Sequence, residues 1–568
     1  MGRRLSAIQW DRKGSAAKVE LNDLIDEAKE ATEKEHTMGL LQAIKTYPKA
    51  VGWSVLASTA LVMEGYDLVV IYNFFGFPAF AKKYGVQLAD GTYSVPAAWQ
   101  SGLSNGANCG EIVGLMFAGI LADRYGYRKV IGGALIMVVC FIFITFFAPS
   151  VEVLLVGEIL CGLPWGVFQT ITTAYAAEVT PVALRPYLCT YVNLCWVLGQ
   201  VIGSGVLRGL VDRTDQWGYR IPFALQWMWP IPLLVGITLA PESPWWLVRK
   251  GRLDEAEHAL ERLTSRTHDP DFDTQKTIAM IIHTNEIEKE LTAGTSYWDC
   301  FKGTDLRRTE ICCMTWMIQT LCGSGLMGYS SYFYEQAGLS PTYSFDLTMG
   351  QYAIGAVGVF TAWALMPWFG RRSLYLWGLV ALFVLLLIIG FISLAPASPG
   401  RSWGIGSMLL VYTFVYDTTV GPVCYSLVAE LSSTRLRQKT IVLARNAYNV
   451  IGIINNILTP HMLNPTAWAW GAKAGFFWAG ICFLSLLWTY FRLPEPKNRT
   501  YAELDILFER RVPAKKFSST IANPFRGDTL EAGRHGSIVK VKSQESDEYH
   551  GHEAVSFDEK VFAAKHVE

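Results

Sequence analysis

The sequence predicts an all-α membrane protein: twelve spanning helices in two six-helix bundles related by a parallel repeat. Three observations carry that fold class. Apolar runs of span length recur along most of the chain. Lys and Arg collect in alternate short loops. Motifs at the helix ends of the first half return in the second at a nearly constant offset.

The apolar runs show first in composition. Of 568 residues, 51% are hydrophobic and 17% charged, against about 25% charged in soluble chains. Together with 20 Trp and a mean hydropathy of +0.24, this makes a lipid bilayer the main solvent partner. The net charge of +0 gives no steering field for nucleic acid. The 11 cysteines are scattered through apolar runs with no CxxC pair, so they read as small buried hydrophobes. Neither a metal nor a cofactor is expected. Nothing in the chain points to an enzyme: there is no nucleophile–base motif or phosphate loop, and the histidines lie mostly in polar segments.

A bilayer needs about 20 apolar residues per helix. Such runs fall at 50–75, 97–121, 129–148, 151–176, 187–211 and 221–240, then at 309–334, 346–369, 374–395, 404–428, 440–461 and 471–492. The predicted organisation is an N-terminal segment at 1–49, a first bundle at 50–245 and a linker at 246–308. A second bundle follows at 309–494, then a largely disordered polar tail at 495–568. The first apolar run lies too far in for a cleaved signal and is expected to remain as a span. In the linker, one amphipathic helix is expected from Asp254 and another over 274–292.

Orientation comes from the short loops. Those after spans two, four, eight and ten carry Lys or Arg, and those after spans three, seven and nine are nearly free of them. Both termini and the linker are therefore expected in the cytoplasm. An Asn-X-Thr at Asn498 would then escape glycosylation.

The repeat is specific. Glu430 stands 252 residues after Glu178, and Arg437 stands 252 after Arg185. Pro494-Glu495 follows Pro241-Glu242 by 253. A looser copy relates Asp123-Arg124-Tyr125-Gly126-Tyr127-Arg128 to Gly370-Arg371-Arg372. Two parallel-repeat bundles are the expected unit. Asp123, Arg124, Arg128, Glu178, Arg185, Glu242, Arg371, Arg372, Glu430 and Arg437 are read as gate contacts at cytoplasmic helix ends. A charge set serving topology alone would explain the arginines but not the recurring acids.

These motifs, with Gly119 to Lys129, Pro241 to Arg252 and Gly421 to Glu430, resemble the sugar porter family of the major facilitator superfamily. Glu64 to Asp67, Cys109 to Glu111, Gly328 to Leu339 and Ala444 to Asn449 resemble, more narrowly, fungal maltose-type α-glucoside permeases. The resemblance implies proton symport of a di- or trisaccharide at the plasma membrane, by a chain that works as a monomer. A sugar sensor, or a carrier of cellobiose, lactose or a hexose, stays open. The second-half loop departs from the family pattern, with Met366-Pro367-Trp368 where an acid usually stands.

Charges inside a span cost roughly 2.5–3.5 kcal/mol each and mark function or a structural pair. Glu64, Asp67, Glu111, Glu158 and Arg445 form the expected proton-coupling set; Asp417 is also intramembrane. Asp67 matches the family's span-one acid, with Glu64 on the same helical face. Glu158 stands where relatives carry Arg and shares the depth of Asp67. Two carboxylates so placed disfavour double ionisation, which a bound proton relieves. Glu111 and Arg445 are expected to pair where spans two and eleven meet, with Gly106, Gly110 and Gly114 permitting close approach. The resemblance assigns sugar contacts to Asn193, Gln200, Gln319, Thr320, Tyr425, Tyr448 and Asn449, although each amide also suits interhelical bonding. Small groups at Thr320 and Gly325 would leave room for a second ring.

Overall fold

The structure is a computed structural model that describes residues 40–520 except 89–90, 182–183, 265–272, 293–295, 367, 434–435, 498 and 500. Most of the expected N-terminal segment, the tail from 521 and Asn498 lie outside the described residues. Arg185 opens a described helix, but its side chain is not among those described.

Among the described residues, twelve spans follow one another. The first half holds Pro48–Phe74 (span 1), Ala97–Tyr125 (span 2), Tyr127–Phe146 (span 3), Val151–Val179 (span 4), Arg185–Leu210 (span 5) and Trp217–Leu239 (span 6). Span 7 runs as Gly303–Leu321, Ser324–Gly328 and Ser330–Gln336. Spans 8 and 9 are Pro341–Leu365 and Arg371–Ser393. Span 10 is broken into Pro399–Thr418 and Val420–Leu431. Spans 11 and 12 are Arg437–Leu463 and Ala474–Arg492. Linker helices cover Pro244–Arg249, Leu253–Leu263 and Thr274–Thr292. The side that carries them is the linker end. The opposite, far end carries a two-stranded hairpin pairing Val86 with Ser94 and Gln87 with Tyr93.

Seven of the described helices are long and apolar enough to cross a bilayer unaided. Spans 3, 6, 9 and 12 turn Phe143, Val235, Trp377, Val384, Leu484 and Phe491 outward, as a lipid-facing surface requires. The less apolar spans lie inside. The halves meet through span 2 against span 11 and span 5 against span 8.

Small residues set the tightest contacts. A Cβ on Gly110 would overlap the Ile159 carbonyl oxygen, and one on Gly166 the Glu111 carbonyl oxygen. The Gly106, Gly110 and Gly114 stripe thus packs on span 4. This corrects the expectation that it serves the approach to span 11. Without a hydrophobic force between helices in lipid, such backbone proximity is what holds the bundle.

Breaks also have local causes. Pro422 has no N–H and its ring crowds the carbonyl of residue 418, so span 10 breaks at Thr419. Gly126, at φ 91, turns span 2 directly into span 3. A Cβ there would strike the Glu242 carboxyl, 2.5 Å away.

One element was not anticipated. Residues Tyr501–Glu509 form a helix, and Leu504, Leu507, Phe508 and Phe517 are buried. Arg308 pairs with Asp505 at 2.5 Å and lies 4.4 Å from the Phe508 ring centre. Arg307 donates to the Val512 carbonyl at 2.9 Å and sits over the Phe508 and Phe517 rings.

Replacing Gly110 by Val should prevent a folded bundle, because overpacking a rigid contact costs about 1–3 kcal/mol or more. Gly133→Val, where nothing lies within 4 Å, should be tolerated. Size-exclusion profiles of detergent-extracted protein compare the two.

Candidate functional site

The interface between the halves encloses charge. Arg445, from span 11, places Nη2 3.3 Å from Oε1 of Glu111 on span 2. Its guanidinium lies 4.9 Å from the Trp316 ring centre and 4.6 Å from that of Tyr448. Asn449, one turn on, donates to the same Glu111 oxygen at 3.3 Å. Glu64 completes the cluster. It accepts from Gln169 of span 4, lies beside Trp196 of span 5, and sits within the fields of Glu111 and Arg445. Two acids thus share one cation in a buried site. Aromatic faces add about 0.5–2 kcal/mol per contact to a dehydrated guanidinium.

Asp67 belongs to a second cluster. Span 1 sends Glu64 and Asp67 to different neighbours, which corrects the expectation that they act as one face. Asp67 accepts from Gln226, where span 6 is interrupted, and its carboxyl faces that of Glu158 on span 4. Both acids are buried, and no cation acts on either among the described residues. Asp417 is a third buried acid, seated against Gly355 and Gly358 of span 8. Glu335, near the end of span 7, is half-buried, with its Oε1 enclosed. Of these two second-half acids, Asp417 was among the expected intramembrane charges and Glu335 was not.

The predicted sugar contacts are divided. Tyr425 and Tyr448 form an aromatic group with Trp316, at ring distances of 4.7 and 5.5 Å. Thr320 lies beside Tyr448, and Asn193 is buried with Nδ2 unpartnered. Gln200 is half-buried on span 5. Gln319 donates to the Gly421 carbonyl at 2.7 Å, so here its amide nitrogen secures the span 10 break. The space beside Gly325 is filled. A Cβ there would lie 2.5 Å from Asn455 Oδ1 and 2.7 Å from Thr459 Oγ1. That overturns the expectation that Gly325 leaves room for a second ring.

The far end is joined across the halves. Ser331 donates N–H and hydroxyl to Asn73 Oδ1 at 3.0 and 2.7 Å. Asn464 donates to the Val95 carbonyl at 3.0 Å, Asn456 to the Ser104 carbonyl at 3.3 Å, and Arg208 pairs with Asp346 at 2.5 Å. Toward the linker end, Gln169, Thr173, Tyr425, Ser426, Arg445 and Tyr448 are half-buried.

At the linker end, each Pro-Glu motif caps a neighbouring span. Glu242 accepts from Tyr127 N at 3.0 Å and Arg128 N at 3.2 Å. Glu495 accepts from Ser373 N at 3.4 Å, in the first turn of span 9. A carboxylate here satisfies free amides and the positive helix end. Burial holds the Glu242 carboxyl above its usual range, and the three backbone amides work against that.

Glu178 takes Arg249 of the linker at 2.8 Å, together with the Tyr127 and Ser243 hydroxyls. Arg249 was absent from the predicted gate set. Glu430 pairs with Arg371 at 3.3 Å, so the repeated acid bonds across spans 9 and 10. Arg372 donates to the Leu493 and Tyr490 carbonyls, and Arg128 to that of Thr238. Asp123 lends its backbone carbonyl to Trp246, and Arg124 lies exposed over Tyr125. Gln169, Gln226, Trp196 and Trp316 were missed. An intramembrane Gln is itself a signal, but a Trp in an apolar run is not.

Arg445→Ala would leave Glu111 buried without its cation, a loss of about 3–5 kcal/mol. The detergent melting temperature should fall, and adding Glu111→Gln should recover most of it.

The comparisons place this architecture. The family described as "Sugar (and other) transporter" matches residues 53–508. A maltose permease of Saccharomyces cerevisiae is 44% identical over 537 residues, covering 93% of this chain and 87% of its own. A general alpha-glucoside permease of the same yeast is 41% identical over 526 residues, covering 92% and 85%. Among solved structures, the proton:xylose symporter XylE superimposes with a TM-score of 0.66 at 20% identity, over 81% of this chain and 99% of that one. An inward open form of XylE from E. coli gives 0.65 at 19%, over 81% and 99%. At such identity the likeness concerns the fold, which is the twelve-helix major facilitator fold. The chain is therefore a multi-pass membrane protein of the sugar transporter family.

Proposed function

We propose that this transporter imports an α-glucoside of the maltose type together with protons, by alternating access. The observation that carries the reading is the Glu64–Glu111–Arg445 cluster, which spans both halves with one acid more than it has cations. A buried excess carboxylate is costly, and a bound proton removes the excess. The cluster adjoins the aromatic wall of Trp316, Tyr425 and Tyr448, suited to sugar ring faces. Proton and sugar thus meet at one level. Asp67 with Glu158 supplies a second place for a proton in the first half.

Related permeases named for maltose and α-glucosides support the substrate class. The Lys and Arg bias of the short loops puts the linker and both termini in the cytoplasm. The far end is then external and is closed in this conformation, with the pathway facing inward. The gate acids Glu178, Glu242 and Glu430 brace the inner helix ends. Each cluster lies within one chain, which suits a monomer at the plasma membrane.

The test is uptake by a transporter-null yeast, offered mono- and disaccharides with external pH recorded. Maltose-type disaccharides should enter and alkalinise the medium. Entry of glucose alone would overturn the substrate class, and entry without proton movement would overturn symport. Asp67→Asn should remove most sugar-driven alkalinisation; wild-type alkalinisation would strike Asp67 from the pathway.

A further inference from the structure

The external gate contains a carboxyl that the pathway clusters do not use. Glu335 sits one turn beyond Ser331, whose bonds to Asn73 tie span 7 to span 1. Across the interface lies Gly76, just past the end of span 1. A Cβ on Gly76 would stand 2.9 Å from Glu335 Oε1 and 3.0 Å from Oε2. The missing side chain is thus the space the carboxyl occupies. Oε1 is enclosed and accepts no hydrogen bond. The Gly76 amide cannot serve it, because it donates to the Asn73 carbonyl at 3.2 Å. The residue as a whole is only half-buried, so the external medium keeps a route to it.

Among the described residues no cation offsets this burial. The elements around Glu335 carry Tyr72 on span 1, Lys82 and Lys83 on the helix Pro78–Tyr84, and Asp346 and Tyr352 on span 8. They also carry Arg401 on span 10, His461 on span 11 and Lys473 before span 12. None acts on its carboxyl among the described residues. Tyr332, on its own helix, is the titratable group that feels it; its hydroxyl is enclosed near Gln100 and Ser94 and makes no hydrogen bond among the described residues. An ionised carboxyl pressed on Gly76 would lose hydration without gaining a partner. A neutral one closes at little cost.

We propose that Glu335 is a further proton-binding site, a latch that takes up an external proton as the outer gate closes on Gly76. Resting on the proton-coupled reading above, this site does a different job. The proton enters from outside as the gate shuts and returns outside when it opens. It is not carried across and adds nothing to the transported stoichiometry. The sign follows. Closure consumes a proton, so external acid favours the closed gate, and the closing equilibrium weakens by up to about tenfold per pH unit above the usual carboxylate range.

The test compares wild type and Glu335→Gln for maltose uptake and proton:sugar ratio across external pH, normalised to surface protein. The near-isosteric amide should keep the wild-type ratio and flatten the pH dependence of the rate severalfold. A wild-type pH profile would overturn the latch, and a lost ratio would move Glu335 into the transport pathway. Should the Gln variant not reach the surface, Gly76→Ala decides, because it fills the carboxyl's seat. Uptake slowed severalfold is expected, and an unchanged rate overturns the contact. Wild type that moves sugar without protons would refute the symport reading instead, whatever the variants do.

Discussion

Arg445 is the constraint on which the interior depends. A guanidinium inside a bilayer is tolerated only where its charge is matched and its planar faces are covered. Glu111 supplies the match, and Trp316 and Tyr448 supply the faces. The residues come from spans 2, 7 and 11, so both halves build the site. Movement of one half against the other must change these distances. Any proton or sugar that alters the charge balance at Arg445 therefore acts on the whole assembly.

Close helix contact makes that arrangement possible. Span 2 lies against span 4 with glycine facing backbone, and span 1 meets span 5 in the same way at Gly65 and Gly199. Helices held so near bring Glu64, Gln169 and Trp196 together from spans 1, 4 and 5. They also leave Asp67 and Glu158 facing each other with only a Gln amide as donor. The linker-end network differs in kind. Its acids are bound by backbone amides and arginines, as at Glu242 and Glu178. Those carboxylates hold helix ends in place, whereas the interior acids are left short of partners.

Much of this was legible in the chain, and the reasons are physical. Span length and loop charge are dictated by the bilayer, so twelve helices and their grouping could be read directly. Intramembrane charge is rare enough that Glu64, Asp67, Glu111 and Arg445 declared themselves. Direction was not legible. Three residues along a helix turn a side chain far enough to send Glu64 and Asp67 to separate clusters. The glycine stripe has the same spacing whether it faces span 4 or span 11. The room beside Gly325 depended on Asn455, from a distant helix. Amphipathic patterns at the far gate and in residues 501–517 were too short to stand out.

The segment after span 12 governs how the protein can be handled. Phe508 and Phe517 cover the guanidinium faces of Arg307 and Arg308. Arg499 gathers the carbonyls of Phe517, Ser518 and Thr520 into one turn. This stretch is a clasp on the start of span 7, not a free tail. Shortening the chain upstream of Phe517 would strip two arginines of their cover beside the membrane surface. Fluorescent fusions and affinity tags therefore belong downstream of residue 520, where they leave the clasp whole.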